Sequence, residues 1–143
     1  MHSGSILNNI FYVFGGLNEL SQCSSELYSL NCENWIWQSL GNFCVDGVDM
    51  KMCGHAAVCN KDQMIMFGGL DPETGTIYNQ LFVYNIQQKN WGRTEKRKSP
   101  RFCGSLVVIG NKMLMLGGCN LVDRRVPKVE SMELETLEID LLG

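Results

Sequence analysis

The chain has little of what catalytic and membrane proteins usually depend on. Its 143 residues hold two histidines, His2 and His55, and three prolines. A catalytic metal centre draws several imidazole, tyrosine or carboxylate ligands together. Neither histidine has such a cluster around it in sequence, so His55 reads as structural and no metal, cofactor or catalytic residue is expected. The seven cysteines (Cys23, Cys32, Cys44, Cys53, Cys59, Cys103, Cys119) are odd in number and contain no Cys-x-x-Cys pair. That excludes the usual zinc spacing and a complete disulfide framework. Together with the absence of Asn-x-Ser/Thr acceptors, it points to reduced thiols in a cytoplasmic protein. No apolar run approaches the ~20 residues of a membrane helix. Met1-His2-Ser3-Gly4 shows no basic region ahead of an apolar core, so neither a signal peptide nor a membrane partner is expected. A net charge of −3 and a pI near 5.3 argue against a nucleic-acid binder that works through overall charge. Gly-x-Ser-x-Gly, the P-loop and the dinucleotide fingerprint are all missing.

What the chain does have is a repeat. Ile10-Phe11-Tyr12-Val13-Phe14 runs into Gly15-Gly16, Gln63-Met64-Ile65-Met66-Phe67 into Gly68-Gly69, and Lys112-Met113-Leu114-Met115-Leu116 into Gly117-Gly118. The spacings between first glycines are 68 − 15 = 53 and 117 − 68 = 49 residues. A period near fifty belongs to propellers and solenoids. The apolar segments are short, rich in β-branched and aromatic residues, and bounded by Gly, Asn, Asp and Pro, as strands are. Asn8-Asn9, Asn60-Lys61-Asp62 and Gly110-Asn111 lie between paired runs, as hairpin turns do.

The middle copy is clearest, with strands near His55 to Cys59, Met64 to Gly68, Asn79 to Ile86 and Asn90 to Thr94. The first copy keeps its register. His2 precedes Gly15 by the interval that separates His55 from Gly68. Trp37 follows Leu30 as Trp91 follows Tyr84. In the third copy Phe102 to Ile109 and Lys112 to Gly117 are expected strands, followed by Val129 to Leu134 and Glu138 to Leu142. There Ser105 stands for the histidine and Ile139 for the tryptophan. The segment from Val129 to Leu142 also fits a helix, because Glu, Leu and Met favour one.

These residues resemble the kelch repeat, a family that includes the galactose-oxidase type of propeller. The resemblance rests on Gly15-Gly16, Gly68-Gly69 and Gly117-Gly118, on Tyr84-Asn85, on Trp37 and Trp91, and on Gly54-His55 and Pro100-Arg101. Leu30-Asn31 departs from the family's Tyr-Asp, and no Pro-Arg precedes His55. The resemblance implies an all-β segment of about three four-stranded antiparallel blades: blade one about 1–41, blade two about 53–95, blade three about 102–142. Propellers usually close with four to eight blades. Three leave the ring incomplete, so the chain is expected to belong to a larger propeller, to pair with a second copy, or to form an open stack. Trp37 and Trp91 are expected to fill gaps between neighbouring blades. Met64, Met66, Met113 and Met115 should be core filler on strand faces.

Strand parity puts the loops between second and third strands, and the connections between blades, at one end. The segments from Leu17 to Ser25, Gly41 to Lys51, Leu70 to Ile77, Lys96 to Phe102 and Asn120 to Lys128 should therefore share a face. Lys96, Arg97, Lys98, Arg101, Arg124, Arg125 and Lys128 crowd into the last two of these, while Glu19, Asp46, Asp49, Asp71 and Glu73 lie in the earlier ones. The expected function is a non-catalytic protein-interaction module, an adaptor or scaffold. Arg97, Lys98, Arg101, Arg124 and Arg125 would hold an acidic or phosphorylated protein segment. The alternative that the resemblance implies is part of a kelch-type enzyme: a metal-dependent oxidase, a specifier or a sugar epimerase.

Overall fold

The computed structural model describes residues 1–94, 98–122, 124–126, 129–135 and 140–141. Every regular element among them is a β-strand, and every pairing is antiparallel. Blade one is the meander β1 (Ser3–Leu7), β2 (Ile10–Phe14), β3 (Glu26–Asn31) and β4 (Ile36–Asn42), in that spatial order. A small hairpin follows, β5 (Cys44–Val45) with β6 (Val48–Asp49). Blade two contains β7 (Ala56–Asn60) and β8 (Gln63–Phe67), then the loop hairpin β9 (Leu70–Asp71) and β10 (Thr76–Ile77), then β11 (Leu81–Asn85) and β12 (Asn90–Arg93). Blade three pairs β13 (Phe102–Ile109), β14 (Lys112–Cys119) and β15 (Glu130–Glu133).

The short hairpins form where the sequence supplies residues that tolerate left-handed backbone. Asn8 and Asn9 have φ of 48° and 61°, which suits the tight turn between β1 and β2. The first strands of the three blades lie side by side, β1 against β7 and β7 against β13. Backbone hydrogen bonds tie their entrances one repeat apart. Gly54 N–H donates to Met1 O at 3.0 Å, and Cys103 N–H donates to Gly54 O at 2.6 Å.

Period-two alternation then fills two interblade layers. Between blades one and two lie Tyr12, Phe14, Leu27, Phe43, Met52, Met64, Met66, Phe82, Tyr84 and Trp91. Between blades two and three lie Ile65, Phe67, Leu81, Val83, Met113, Met115 and Met132. All four alternating methionines are fully buried. The middle sheet sends even-numbered residues of β8 and β11 one way and odd-numbered residues the other. Both faces are covered, so these strands read as unbroken apolar runs.

The glycine doublets explain how one blade leads into the next. In each, both residues have positive φ: 63° and 94°, 72° and 100°, 62° and 93°. Gly16 N–H donates to Met52 O at 3.2 Å, and Gly69 N–H donates to Arg101 O at 2.9 Å, both carbonyls on chain about to start the following blade. A Cβ on Gly15 would stand 2.6 Å from Met52 O, and one on Gly68 would stand 2.2 Å from Arg101 O. At Gly117 a Cβ would meet nothing within 4 Å among the described residues.

Three expectations are corrected. The described part of the expected fourth strand from Glu138 to Leu142 does not join blade three. It is β16 (Asp140–Leu141), which pairs with β12 as a fifth strand on blade two, so blade three has three strands among the described residues. Glu138 and Ile139 lie outside the described residues. The helical alternative fails where it can be checked, because β15 is a strand that alternates buried and exposed residues. Trp37 fills no gap between the described blades. It is 55 % exposed while Trp91 is 8 % exposed, because blade one stands in front of Trp91 and no described residue covers Trp37 in the same way. A smaller point concerns register. Gly104 pairs with Gly117, so the residue opposite the doublet in blade three is Gly104 and not Ser105.

Gly68→Ala is expected to destabilise far more than Gly75→Ala. Both glycines have φ near +70°, but a Cβ at Gly75 meets nothing. The open position carries only the left-handed penalty, about 1–2 kcal/mol, while Gly68→Ala must also displace the Arg101 backbone. Urea unfolding of both variants checks this.

Candidate interaction surface

The three blades bring their long loops to one end, and each loop is built on the same stub. Two residues after the second glycine of every doublet stands Asn18, Asp71 or Asn120, and its side-chain oxygen accepts a backbone N–H two residues on. Asn18 Oδ1 accepts from Leu20 N–H, Asp71 Oδ1 from Glu73 N–H and Asn120 Oδ1 from Val122 N–H, each at 2.9 Å. These are Asx turns, which Asn and Asp form because a short side chain can imitate a backbone carbonyl. The far ends are anchored alike. Ser24, Tyr78 and Val126 donate N–H to the carbonyls of Gly16, Gly69 and Gly118 at 3.0, 3.0 and 2.8 Å. The Gly-Gly-x-Asn/Asp spelling was present in the sequence, and it was the signal that could have located these turns.

The stubs hold apolar side chains out in solvent. Leu17 and Leu20 are exposed on the first loop, Val48 on the β5–β6 hairpin, and Leu121 and Val122 on the third loop, Val122 at 92 %. Sequence reading missed these residues because it searched the loops for charge. The middle loop is polar instead, and Glu73 pairs with Lys51 of the connection from blade one at 3.3 Å. That ion pair confirms that loop and connection share one end.

The described basic residues differ in exposure. Arg124 and Arg125 are exposed beside Leu121 and Val122. Lys98 is half-buried, and its Nζ donates to Ser131 O at 3.2 Å. Arg97 lies outside the described residues, as do Lys96 and Lys128. Arg101 is a clear correction, because it is 2 % exposed and inaccessible to a partner. Its Nη1 donates to Gly117 O at 3.0 Å, its Nε donates to Ser99 O at 3.3 Å, and Nη2 is bonded to the Glu130 carboxylate. It fastens the approach to blade three onto that blade's own glycine corner.

His55 is also buried. Ser3 Oγ lies 2.5 Å from its Nε2, and the ring meets Phe14 edge-on at 5.2 Å. Burial drives its pKa down to about 4. No carboxylate is hydrogen-bonded to the ring among the described residues, so nothing orients the pair as a triad would. Burial, and then Cys53 beside it, pushes the Cys23 thiol up to about 12, which makes it a poor nucleophile. Among the described residues no group of three His, Cys, Asp or Glu side chains could hold a metal ion. At the opposite, short-turn end a cleft of about 450 Å³ between blades two and three is lined by Lys61, Gln63, Asn111 and Glu135, among others.

With the geometry described, comparison with known proteins gives a single answer. A model described as the KLHDC2/KLHL20/DRC7 Kelch-repeats domain matches residues 1–142. The chain belongs to the kelch-repeat family. Tip elongation aberrant protein 3 of Schizosaccharomyces pombe is 30 % identical over 75 % of this chain and 10 % of its own length. Human Kelch-like protein 38 is 28 % identical over 82 % of this chain and 19 % of its own. The Rho GTPase-activating protein gacHH of Dictyostelium discoideum is 26 % identical over 97 % of this chain and 10 % of its own. The kelch segment thus spans between a tenth and a fifth of these relatives.

Two outcomes test these assignments. Glu130→Ala should destabilise the fold by about 1.5–3 kcal/mol, the worth of a hydrogen bond to a charged group, since it removes the carboxylate bonded to the buried Arg101 guanidinium; chemical unfolding measures it. His55 has a folded pKa of about 4 against an unfolded value near 6.5. Between those values the unfolded chain binds more protons, so stability falls as pH drops through that window, by up to roughly 3 kcal/mol. His55→Gln should flatten this part of the pH profile.

Proposed function

We propose that the chain is a non-catalytic protein-interaction module, working as adaptor or scaffold, whose loop face holds a segment of another protein. The observation that carries this reading is the exposure of Leu121 and Val122 beside Arg124 and Arg125 on a loop fixed at both ends. Binding residues concentrate on loops held by a rigid scaffold. An aliphatic pair next to two guanidinium groups suits a partner with an apolar side chain close to carboxylates or a phosphorylated residue. The Arg forks would hold the anionic groups in paired hydrogen bonds, and the aliphatic pair would lose water on contact. Leu20 and Val48 extend the apolar character of the same face toward blade one, where Glu19 and Asp46 favour the opposite charge. Kelch repeats recur in relatives as different as Kelch-like protein 38 and a Rho GTPase-activating protein, which fits a binding element used in several settings. The buried His55, the poorly nucleophilic Cys23 and the lack of a ligand cluster among the described residues give no support to the enzyme alternative.

An array of acidic and phosphorylated peptides containing Leu, Phe or Tyr supplies the probe. Arg124→Glu with Arg125→Glu is expected to weaken the best peptide at least tenfold, and Leu121→Asp with Val122→Asp by a similar factor, with thermal stability unchanged. Equal affinity for wild type and both double variants would discard the loop as the binding site. Stoichiometric copper or iron in purified protein would restore the enzyme reading.

A further inference from the structure

The loop face carries the same combination of aliphatic and charged side chains twice, with charges of opposite sign. On the blade-one side Leu17, Glu19 and Leu20 stand exposed on the first loop, and Asp46 and Val48 on the β5–β6 hairpin. The two tips rise from a common root, because Phe43 N–H, at the base of the hairpin, donates to Ser25 O at the far end of the loop at 2.8 Å. On blade three the exposed set is Leu121, Val122, Arg124 and Arg125. The signs hold over the whole segments. Residues 17–25 and 41–51 contain Glu19, Asp46 and Asp49 against Lys51, whereas residues 120–128 contain Arg124, Arg125 and Lys128 against Asp123.

The middle of the face is different. The second loop exposes no Leu, Ile or Val, and its carboxylates are already engaged. Asp71 Oδ2 accepts from Thr74 Oγ1 at 2.9 Å, and Glu73 Oε1 accepts from Lys51 Nζ at 3.3 Å. Asp49 on the hairpin is engaged too, by Asn42 Nδ2 at 2.9 Å and by the Cys44 thiol at 2.7 Å. Glu19 and Asp46 on one side, and Arg124 and Arg125 on the other, have no side-chain partner among the described residues. Two unsatisfied patches of opposite charge, each with its own aliphatic residues, thus flank a centre that is neutralised from within.

We propose that the partner is a two-ended, extended protein segment. One end sets basic residues beside an apolar side chain, and the other sets acidic residues beside a second apolar side chain. This rests on the reading of the third loop given above and adds the counterpart on blade one. Charge complementarity assigns the ends: the basic end lies over the first loop and the hairpin, the acidic end over the third loop. The spacing follows from the stacking of the blades. β1, β7 and β13 lie side by side, so the two patches are two sheet-packing steps apart. Sheets pack about 10 Å apart and an extended chain advances about 3.3 Å per residue, so at least about six residues separate the two ends. The self-satisfied middle loop makes no demand on the charge of that spacer. Joining two weak contacts through one chain makes the second intramolecular, which gives an affinity that neither patch has alone.

The test measures synthetic peptides against the full 143-residue chain by fluorescence anisotropy. The two-ended probe has two lysines and a leucine, a spacer of about eight Gly and Ser residues, then a leucine and two glutamates. The acidic half keeps the spacer and loses the lysines and their leucine. The two-ended probe should bind at least roughly tenfold tighter than the acidic half. Glu19→Lys with Asp46→Asn should remove that gain and leave the affinity of the acidic half unchanged; Asn suits the φ of 51° at position 46. Replacing the lysines of the probe by glutamates should return part of the gain on this variant. Cutting the spacer to about two residues should abolish the gain on wild type. An acidic half that binds while the two-ended probe is no tighter overturns this inference alone. A gain that survives Glu19→Lys with Asp46→Asn, or survives the short spacer, overturns it as well. An acidic half that binds no better than a Gly/Ser peptide overturns both this inference and the reading of the third loop. Should the variant fail to fold by circular dichroism, Leu20→Ser with Val48→Ser tests the same patch and should remove the same gain.

Discussion

A β-sheet has two faces, and among the described residues only the sheet of blade two has both of them covered. That constraint orders the rest. Blade two buries Met64, Met66, Phe82 and Tyr84 against blade one, and Ile65, Phe67, Leu81 and Val83 against blade three. The two layers touch through a single sheet, so a change on one face of β8 bears on the other through its backbone. The stacking distance then has to be held at the corners. Gly15 and Gly68 do this by admitting a carbonyl of the following blade where any side chain would collide with it. Packing sets how far apart the blades stand, and the doublets set where the chain can cross between them.

The fold was largely legible because its signals are local. The doublets, the tryptophan seven residues beyond Leu30 and Tyr84, and the alternating methionines are fixed by strand geometry, which a linear sequence carries directly. What could not be read depends on neighbours. Trp37 and Trp91 have the same repeat position and differ only in whether a described blade stands before them. Arg101 looked like a member of a surface cluster, since nothing in its flanking residues shows that Glu130 and the Gly117 carbonyl will enclose it. The placement of β16 against β12 was hidden for the same reason: which edge a two-residue strand joins is a tertiary matter.

The interaction surface was half legible. Strand parity placed the loops at one end, and the loop–connection ion pair between Glu73 and Lys51 agrees with it. The residues at the loop tips were missed because exposed aliphatic side chains follow no periodicity. Their positions are set by side-chain oxygens that stop the chain and turn it. Arg124 and Arg125 remained on the surface while Arg101 did not, so charge alone separates surface from core poorly where a carboxylate and carbonyls of the same blade enclose a guanidinium.

The Asx turns have a consequence for how such a surface can change. Asn18, Asp71 and Asn120 fix where each loop leaves its blade, and Ser24, Tyr78 and Val126 fix where it returns. Between those points the tips, Leu20 and Val122 among them, stand out in solvent. Each loop is in effect an exchangeable fingertip on an invariant knuckle, and a lineage could rewrite its specificity one blade at a time without renegotiating the core.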